Sequence, residues 1–257
     1  MFDSQDACYY SSLTIDGKAF HKFTKGFKRP FDTILIKTMQ ETMKYLCENI
    51  QGCVLGYTQS DEITLVLQDY KTLTTDAWFD YEVQKLCSVS ASMATMAFNR
   101  YFSENVEKYC NSIERTETDG LNAEQYEQWK IYRKALEKGA MFDARCFNIP
   151  KEEVTNCIYW RQQDASRNSI LSVAQAYFSR AKLHGKNLNA LQDMLMVQKN
   201  VNWNNYPTHQ KRGSCCIQQS YLKNDIESTR WVIDNEIPIF KGDNRNYIER
   251  LIYFEAN

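Results

Sequence analysis

Two aspartates lie in sequence contexts that suit phosphoryl-transfer chemistry. Asp16 follows an apolar, β-prone run from Tyr9 to Ile15, and Asp61 lies between two further short apolar runs. If these runs are neighbouring strands of one sheet, both carboxylates meet at one edge. Mg²⁺ prefers hard oxygen ligands and takes one or two protein carboxylates besides substrate phosphates. The pair therefore suits a two-metal site, although Asp-Gly and Ser-Asp are also common turn dipeptides.

A basic segment with interspersed phenylalanines follows Asp16. The cationic residues are Lys18, His21, Lys22, Lys25, Lys28 and Arg29, and the aromatic residues are Phe20, Phe23 and Phe27. Cations beside a metal site complement a triphosphate, and the amides at the start of the following helix attract an anion. The alternative is an exposed loop that its aromatic side chains anchor.

The order of the predicted elements indicates an α+β fold. Strand, helix, strand, strand, helix, strand is the split βαβ order of ferredoxin-like folds, with an antiparallel sheet. Asp32 stands where a first-turn acid or helix cap is expected. We predict strands at Tyr9–Ile15, Cys53–Tyr57, Ile63–Leu67 and Met141–Ile149, and helices at Phe31–Ile50 and Tyr81–Phe102.

The chain is expected to divide near Pro150. Residues 1–150 form the predicted sheet domain, with a polar insertion near 104–139 whose Glu/Lys-rich end is typical of a solvated helix. Residues 151–257 form a predicted helical and strand extension. Its elements are helices at Glu152–Arg167, Leu171–Lys182 and Leu188–Lys199, a polar loop at Asn202–Arg212, and a strand and turn within Arg230–Phe240.

Composition narrows the class of protein. The 257 residues are 43% apolar and 25% charged, as is usual for soluble globular proteins. We expect no membrane span and no secretory leader. Nine cysteines without CxxC pairs and three histidines disfavour a zinc site or a disulfide framework and indicate a cytoplasmic protein with reduced thiols. A net charge of −1 confines nucleic-acid binding to local basic patches.

Five segments in order, between about residues 9 and 216, resemble the motifs of one family, the tRNA-His guanylyltransferases. Ile15–Phe23 resembles the family segment LDGRxFHxF, and Gly56–Glu62 resembles its YGQSDE hairpin. The other three matches are Phe142–Arg145 to FDGR, Tyr159–Asp164 to SWRQxD, and Asn202–Asn205 with Lys211–Gly213 to NYNN…RKG.

The resemblance implies a polymerase palm that extends RNA in the 3′-to-5′ direction. Asp16 and Asp61 would ligate two Mg²⁺ ions together with the Gly17 carbonyl, and Glu62 would support the catalytic hairpin. ATP, GTP and other nucleoside triphosphates would be substrates, tRNA the partner, and a homotetramer the assembly. The implied nucleotide-binding residues are Phe20, His21, Arg29, Asp32, Ser60 and Lys85, with Asp32 near the base.

Two of the implied sites have simpler alternatives. Lys85 also fits an exposed helix position, and Arg145 also fits a structural ion pair with Asp143. Trp203 also has two interpretations, because it suits either stacking on an exposed RNA end or packing against the domain.

The resemblance also implies residues at the tRNA or its 5′ end. They are Arg161, Asp164, Ser166, Asn168, Asn204, Lys211 and Arg212.

One departure from the family pattern bears on the activity. The eukaryotic enzymes have HINNLYN after the acid that matches Asp164, and this chain replaces the histidine with Ser166 while keeping Asn168. This form resembles the bacterial and archaeal guanylyltransferase-like branch. That branch implies templated repair of 5′-truncated tRNA, in which ATP activates a 5′-monophosphate and the 3′-hydroxyl of an incoming nucleotide attacks it.

Three other functions stay open. The first is dedicated addition of one untemplated guanosine to tRNA-His. The second is a palm-fold nucleotidyl cyclase relative that acts on free nucleotides, for which the WRQxD and NWNN segments would have no role. The third is a catalytically silent tRNA-binding protein, which is disfavoured because Asp16, Asp61, Glu62 and the basic segment all occur together.

Overall fold

The computed structural model describes residues 9–68, 76–114, 123–223 and 226–253. Its centre is a six-stranded sheet with the order β4-β1-β3-β2-β5-β6, and every neighbouring pair is antiparallel. The strands are β1 (Tyr9–Gly17), β2 (Cys53–Gln59), β3 (Glu62–Leu67), β4 (Phe142–Pro150), β5 (Ser214–Lys223) and β6 (Ile226–Asp234).

The first four strands and two long helices form the predicted split βαβ unit. The helices of this half are α1 (Phe20–Phe23), α2 (Thr33–Asn49), α3 (Val83–Glu114) and α4 (Ala123–Lys138). The α+β prediction is confirmed, and α2 begins directly after Asp32, as the pattern indicated. Helix α3 continues to Glu114, beyond the predicted end at Phe102. Residues 115–122 of the predicted polar insertion lie outside the described residues.

The end of that insertion differs from the solvated helix that we expected. In α4, Tyr132 is 1% exposed and Ala135 is 5% exposed, and Trp129 and Leu136 also pack against the main core. These apolar residues recur at helical spacing and form one buried stripe. The charged residues that dominated the sequence pattern occupy the remaining surface of the helix.

The C-terminal half contributes both helices and strands. Its helices are α5 (Lys151–Tyr177), α6 (Arg180–Leu183), α7 (Leu188–Lys199), α8 (Thr208–Arg212) and α9 (Asn246–Ile252). The predicted break between Arg167 and Leu171 is wrong, because α5 runs through it without a proline or glycine. Strand β5 was not predicted, and it extends the sheet by pairing with β2. No helix in the described ranges is long and apolar enough to cross a membrane.

Helices cover both faces of the sheet. On one face, core residues of β1 and β3 such as Leu13 and Ile63 pack with α2, α3 and α4. On the other face, Tyr10, Leu55 and Tyr57 pack with α5 and α9. A third cluster joins α5 and α7 to the segment that contains Trp203. The end of the sheet where β1 meets the β2–β3 hairpin is therefore held between two layers of helices.

Candidate active site

The register of the sheet places acidic residues side by side. Asp16, the penultimate residue of β1, lies opposite Glu62 on β3 and Asp143 on β4. Directly opposed residues of antiparallel strands project from the same face, so these three carboxylates form an acidic row. Asp61 is at the tip of the β2–β3 hairpin, where its carbonyl oxygen accepts a hydrogen bond from the Gly17 amide at 3.1 Å. The predicted convergence of Asp16 and Asp61 is present.

The tight hairpin turn holds Asp61 in place. Ser60 has a left-handed φ of 56°, a conformation that favours glycine and is strained for other residues. Its hydroxyl donates to Asp61 Oδ1 at 3.0 Å. Thr58 closes the turn by donating its hydroxyl to the Glu62 carbonyl at 2.9 Å. The Asp61 carboxylate is thus oriented by its immediate neighbours.

The negative charges of these acids repel one another. Burial raises the pKa of Asp61; the hydrogen bond from Ser60 opposes this effect, and the nearby Asp16 reinforces it. Burial also raises the pKa of Glu62, Arg161 opposes that rise, and Asp16 adds to it. Among the residues that the structure describes, no three His, Cys, Asp or Glu side chains form a metal-binding group. Two carboxylates with hard oxygen atoms still suffice for Mg²⁺, which keeps waters and substrate oxygens as its other ligands.

A cleft of about 400 Å³ opens beside Asp61 and collects most of the predicted nucleotide-binding residues. Ser172 and Gln175 of α5 also line it, and the sequence pattern gave no indication of either. The lining residues are Phe20, His21, Thr24, Phe27, Lys28, Arg29, Pro30, Asp32, Leu35, Ser60, Asp61, Ser172 and Gln175. Lys85 is not among them, because it lies on the exposed start of α3, where its Nζ is 2.9 Å from Glu82 Oε2.

The basic segment is shaped by its aromatic side chains. Phe20, Phe23 and Phe27 are buried and pack against the aromatic rings of α3. Their burial leaves the intervening cations on the surface, and His21 and Arg29 face the cleft. Both sequence interpretations therefore hold at once, since an aromatic-anchored loop also forms the cationic wall of the cleft.

Asp32 is chiefly a structural group. Its Oδ1 accepts the Leu35 amide at 3.0 Å and so caps α2. Its Oδ2 accepts both the Lys28 amide at 3.0 Å and the Tyr132 hydroxyl at 2.7 Å. Sequence reasoning predicted the cap and missed Tyr132, which is a hundred positions away along the chain.

The α5 residues predicted at the RNA end have partners within the protein. Arg161 Nη1 is 2.9 Å from Glu62 Oε1, so this arginine neutralises part of the acidic row. The Asn168 amide donates to Asp164 Oδ2 at 3.1 Å, and the Ser166 hydroxyl donates to the Gln162 carbonyl at 3.0 Å.

A separate groove of about 530 Å³ runs along α5 beside Arg161 and Asp164. It contains Trp160, whose side chain is among the most exposed apolar groups at 76%. Gln162 faces the opposite way, is buried, donates to the Pro238 carbonyl at 2.7 Å and accepts the Phe240 amide at 3.0 Å.

The Asn202–Arg212 segment is docked on α5. Trp203 donates its indole NH to Ser169 Oγ at 3.0 Å and packs in the third core cluster, so the packing alternative describes it. Lys211 donates to the Asn204 carbonyl at 2.6 Å, and the Arg212 carbonyl accepts the Tyr57 hydroxyl at 2.7 Å.

Arg145 and Asp143 are an exposed pair on β4. Their side-chain atoms are 4.0 Å apart, and the two side chains are 78% and 54% exposed. An exposed pair at this distance contributes little to stability. The ion-pair alternative for Arg145 therefore describes a weak contact at the outer end of the acidic row.

A split βαββαβ sheet with paired aspartates beside a cationic cleft is the arrangement of palm-type nucleotidyltransferases. The sequence profile of the family described as tRNAHis guanylyltransferase matches residues 3–150, which is more than half of the chain. The chain belongs to this family, and both the predicted family resemblance and the predicted enzyme class are confirmed.

The relatives of the chain match most of its length. A bacterial tRNA-His guanylyltransferase-like protein in complex with ATP is 40% identical, with a TM-score of 0.77 over 96% of this chain and 92% of its own. A bacterial protein of the same description in complex with GTP is 38% identical, with a TM-score of 0.73 over 97% and 92%. The tRNA(His) guanylyltransferase of Saccharomyces cerevisiae is 26% identical over 83% of this chain and 84% of its own.

Proposed function

We propose that this protein repairs 5′-truncated tRNA by templated nucleotide addition in the 3′-to-5′ direction. The observation that carries the proposal is the cleft, which Asp61 lines together with His21 and Arg29. Nucleotide addition needs carboxylates at the reacting phosphorus and cations along the phosphates that leave or stay bound. The ATP and GTP complexes of the two bacterial relatives support a nucleotide in this cleft.

The carboxylates of Asp16 and Asp61, with the Gly17 carbonyl, would hold two Mg²⁺ ions. When bound, the ions would lower the pKa of the attacking hydroxyl and offset charge on the transferring phosphoryl group. The donor set fits, because all the donors are hard oxygens and because the Asp16 and Asp61 carboxylates lie close enough to repel each other, a repulsion that a bound cation would offset. Glu62, which lies opposite Asp16 on β3 and forms an ion pair with Arg161, would support this group.

The cationic wall would orient the triphosphate. The amides of Phe20 and His21 and the guanidinium of Arg29 would bind phosphate oxygens, and Ser60 would border the reacting end. The 5′-phosphate of the tRNA would attack the α-phosphorus of ATP and release pyrophosphate. The 3′-hydroxyl of the incoming nucleotide would then attack the activated 5′-phosphorus and release AMP. Lys85 has no role in this assignment, because it is paired outside the cleft.

The tRNA would lie along α5 and the Asn202–Arg212 segment. This surface presents Asn168, Asn204, Lys211 and Arg212, and a homotetramer would bring further surfaces of residues 151–257 to the RNA. Ser166 favours repair over dedicated guanosine addition, since its hydroxyl bonds within α5 where the eukaryotic pattern has a histidine. Dedicated addition is the second candidate, because the yeast relative is named for it.

The test uses labelled tRNA-His that lacks its first nucleotide, with a 5′-monophosphate or a 5′-triphosphate. Each is incubated with ATP, Mg²⁺ and the four nucleoside triphosphates, and full-length tRNA serves as the comparison. We expect templated filling of the truncated end, ATP dependence for the monophosphate only, and little addition to full-length tRNA.

A matched pair of variants links the reaction to the cleft. Asp16→Asn should abolish addition, whereas Asp143→Asn, from the exposed end of the same acidic row, should retain it. Preferred addition of a single guanosine to full-length tRNA would favour the dedicated enzyme. Turnover of free nucleotides without addition to any tRNA end would refute the proposal in favour of a cyclase-like activity.

A further inference from the structure

One buried carboxylate joins three separate parts of the chain beside the cleft. Asp32 is 4% exposed and accepts hydrogen bonds from the Lys28 amide, the Leu35 amide and the Tyr132 hydroxyl. These donors belong to the basic segment, to the start of α2 and to α4. Through Asp32, the cationic wall of the cleft is therefore linked by hydrogen bonds to both α2 and α4.

The position of the Tyr132 hydroxyl is closely determined. The ring is 1% exposed and lies edge-on to Phe27 and Tyr109, with centroid distances of 5.1 and 5.5 Å. Burial, together with the charge of Asp32, raises the pKa of Tyr132, so the hydroxyl stays a hydrogen-bond donor at neutral pH. The neighbouring Ile131 lies beside Gly26, where an added Cβ would come within 3.2 Å of its side chain, so α4 adjoins the basic segment at two points.

Tyr132 and Lys28 share a single acceptor atom. Both donate to Asp32 Oδ2, at 2.7 and 3.0 Å, so the tyrosine hydroxyl holds the oxygen to which the Lys28 amide binds. Loss of that hydroxyl would leave the carboxylate free to rotate towards its cap on α2. The turn that carries Lys28 and Arg29 would then lose its fixed attachment, although neither cation would be removed.

We propose that Tyr132 is a positioning residue that, through Asp32, fixes the Lys28–Arg29 turn for binding the triphosphate of a nucleotide. The inference rests on the proposed function of the cleft. Its ligand is the phosphate chain rather than the base, because Lys28 and Arg29 are cations that line the cleft. The Asp32 carboxylate is already engaged by three donors of the protein itself.

The test compares Tyr132→Phe with Tyr109→Phe in the full-length protein. Tyr109 is the matched control, because its hydroxyl bonds to the Gln125 carbonyl at 3.4 Å and its ring packs against the same tyrosine. For Tyr132→Phe we expect the KM for each nucleoside triphosphate to rise about fivefold to tenfold, with kcat changed less than about twofold. The control should leave both constants unchanged.

Two measurements separate positioning from a general loss of stability. Equilibrium binding of GTP, CTP, ATP and UTP should weaken by the same factor for all four, since the turn binds phosphates. Hydrogen exchange of the peptide that spans residues 27–32 should accelerate, while the middle of α2 stays protected. Asp32→Asn tests the same bond from the acceptor side, without changing the ring, and should weaken binding in the same way.

The outcomes are distinct. A lower melting temperature with unchanged nucleotide binding and unchanged exchange at residues 27–32 would make Tyr132 merely structural and would overturn the proposal. A loss of affinity confined to one base would also overturn it, because Asp32 would then act on the base. If the wild-type protein binds nucleotides but adds none to tRNA, the proposed function fails while this inference is still tested by binding.

Discussion

The ion pair between Arg161 and Glu62 offers the sharpest test of the acidic row. The two atoms are 2.9 Å apart, and the side chains are 41% and 30% exposed. Arg161→Met removes the guanidinium and keeps most of the aliphatic stem. It leaves Glu62 opposite Asp16 without its cation, so we expect the variant to fold but to be less stable.

The expected loss of unfolding free energy follows from the partial burial of the Arg161–Glu62 pair. Exposed ion pairs contribute about 0–1 kcal/mol, and breaking a fully buried pair costs about 3–5 kcal/mol. This half-buried pair should lie between them, so Arg161→Met should lose about 1–2 kcal/mol of unfolding free energy. Adding Glu62→Gln removes the uncompensated charge. The double-mutant cycle should therefore show a coupling of about 1 kcal/mol.

The loss of stability in Arg161→Met should depend on pH. Burial already raises the pKa of Glu62, and Arg161 opposes that rise, so removing the arginine raises the pKa further. A carboxyl with a higher pKa in the folded state binds a proton more tightly when folded. Its contribution to stability is therefore present at low pH and is lost as pH rises through the folded-state pKa. The loss in Arg161→Met should be larger at about pH 7.5 than at about pH 5.5.

Urea denaturation of the four proteins of the cycle, at both pH values and with a chelator present, measures these quantities. Arg167→Met is the control, because this exposed arginine lies further along the same helix. Equal stability of Arg161→Met and the wild type at both pH values would refute the reasoning. A coupling near zero would have the same meaning, because the pair would then be an ordinary surface contact.

Three further predictions concern the cleft and its support. Asp61→Asn should reduce addition to labelled tRNA by at least about a thousandfold while the melting temperature stays near that of the wild type, and substantial residual activity would exclude it as a metal ligand. Because burial raises the pKa of Asp61, its ionised form destabilises the metal-free fold, so the small excess in melting temperature of Asp61→Asn over the wild type at about pH 7 should shrink as pH falls towards about 5. Gln162→Ala should lose about 1–3 kcal/mol in urea denaturation, because the Pro238 carbonyl and the Phe240 amide lose their partner. The exposed neighbour Gln163→Ala should change little, and equal effects would contradict the assigned contacts.

Much of the acidic end of the sheet could be predicted from local sequence. Asp16 ends a short apolar run, and Asp61 stands between two others, so strand and turn signals suffice to bring them together. The Asp32 cap also follows from local rules, because a capping acid acts within the first turn of its own helix. These features depend on residues only a few positions apart or on one sheet whose order the split βαβ pattern specifies.

Contacts between distant segments could not be predicted in this way. The sequence around Tyr132 predicted a charged, solvated helix. Nothing in that pattern indicated that Tyr132 packs against Phe27 and donates a hydrogen bond to Asp32. Strand β5 was missed because residues 218–222 are all exposed and the segment lacks the alternation of a half-buried strand. Its pairing with β2 depends on the tertiary fold rather than on its own pattern.

The WRQxD segment shows why a family motif is not a list of substrate contacts. Successive residues of an α-helix lie about 100° apart around its axis, so Trp160, Arg161 and Gln162 must face three directions. Trp160 is open to solvent, Arg161 meets the acidic row through Glu62, and Gln162 holds the chain at residues 238–240. One helical turn thus joins an exposed surface, the acidic row and the C-terminal segment, and a change at each position should impair a different property of the enzyme.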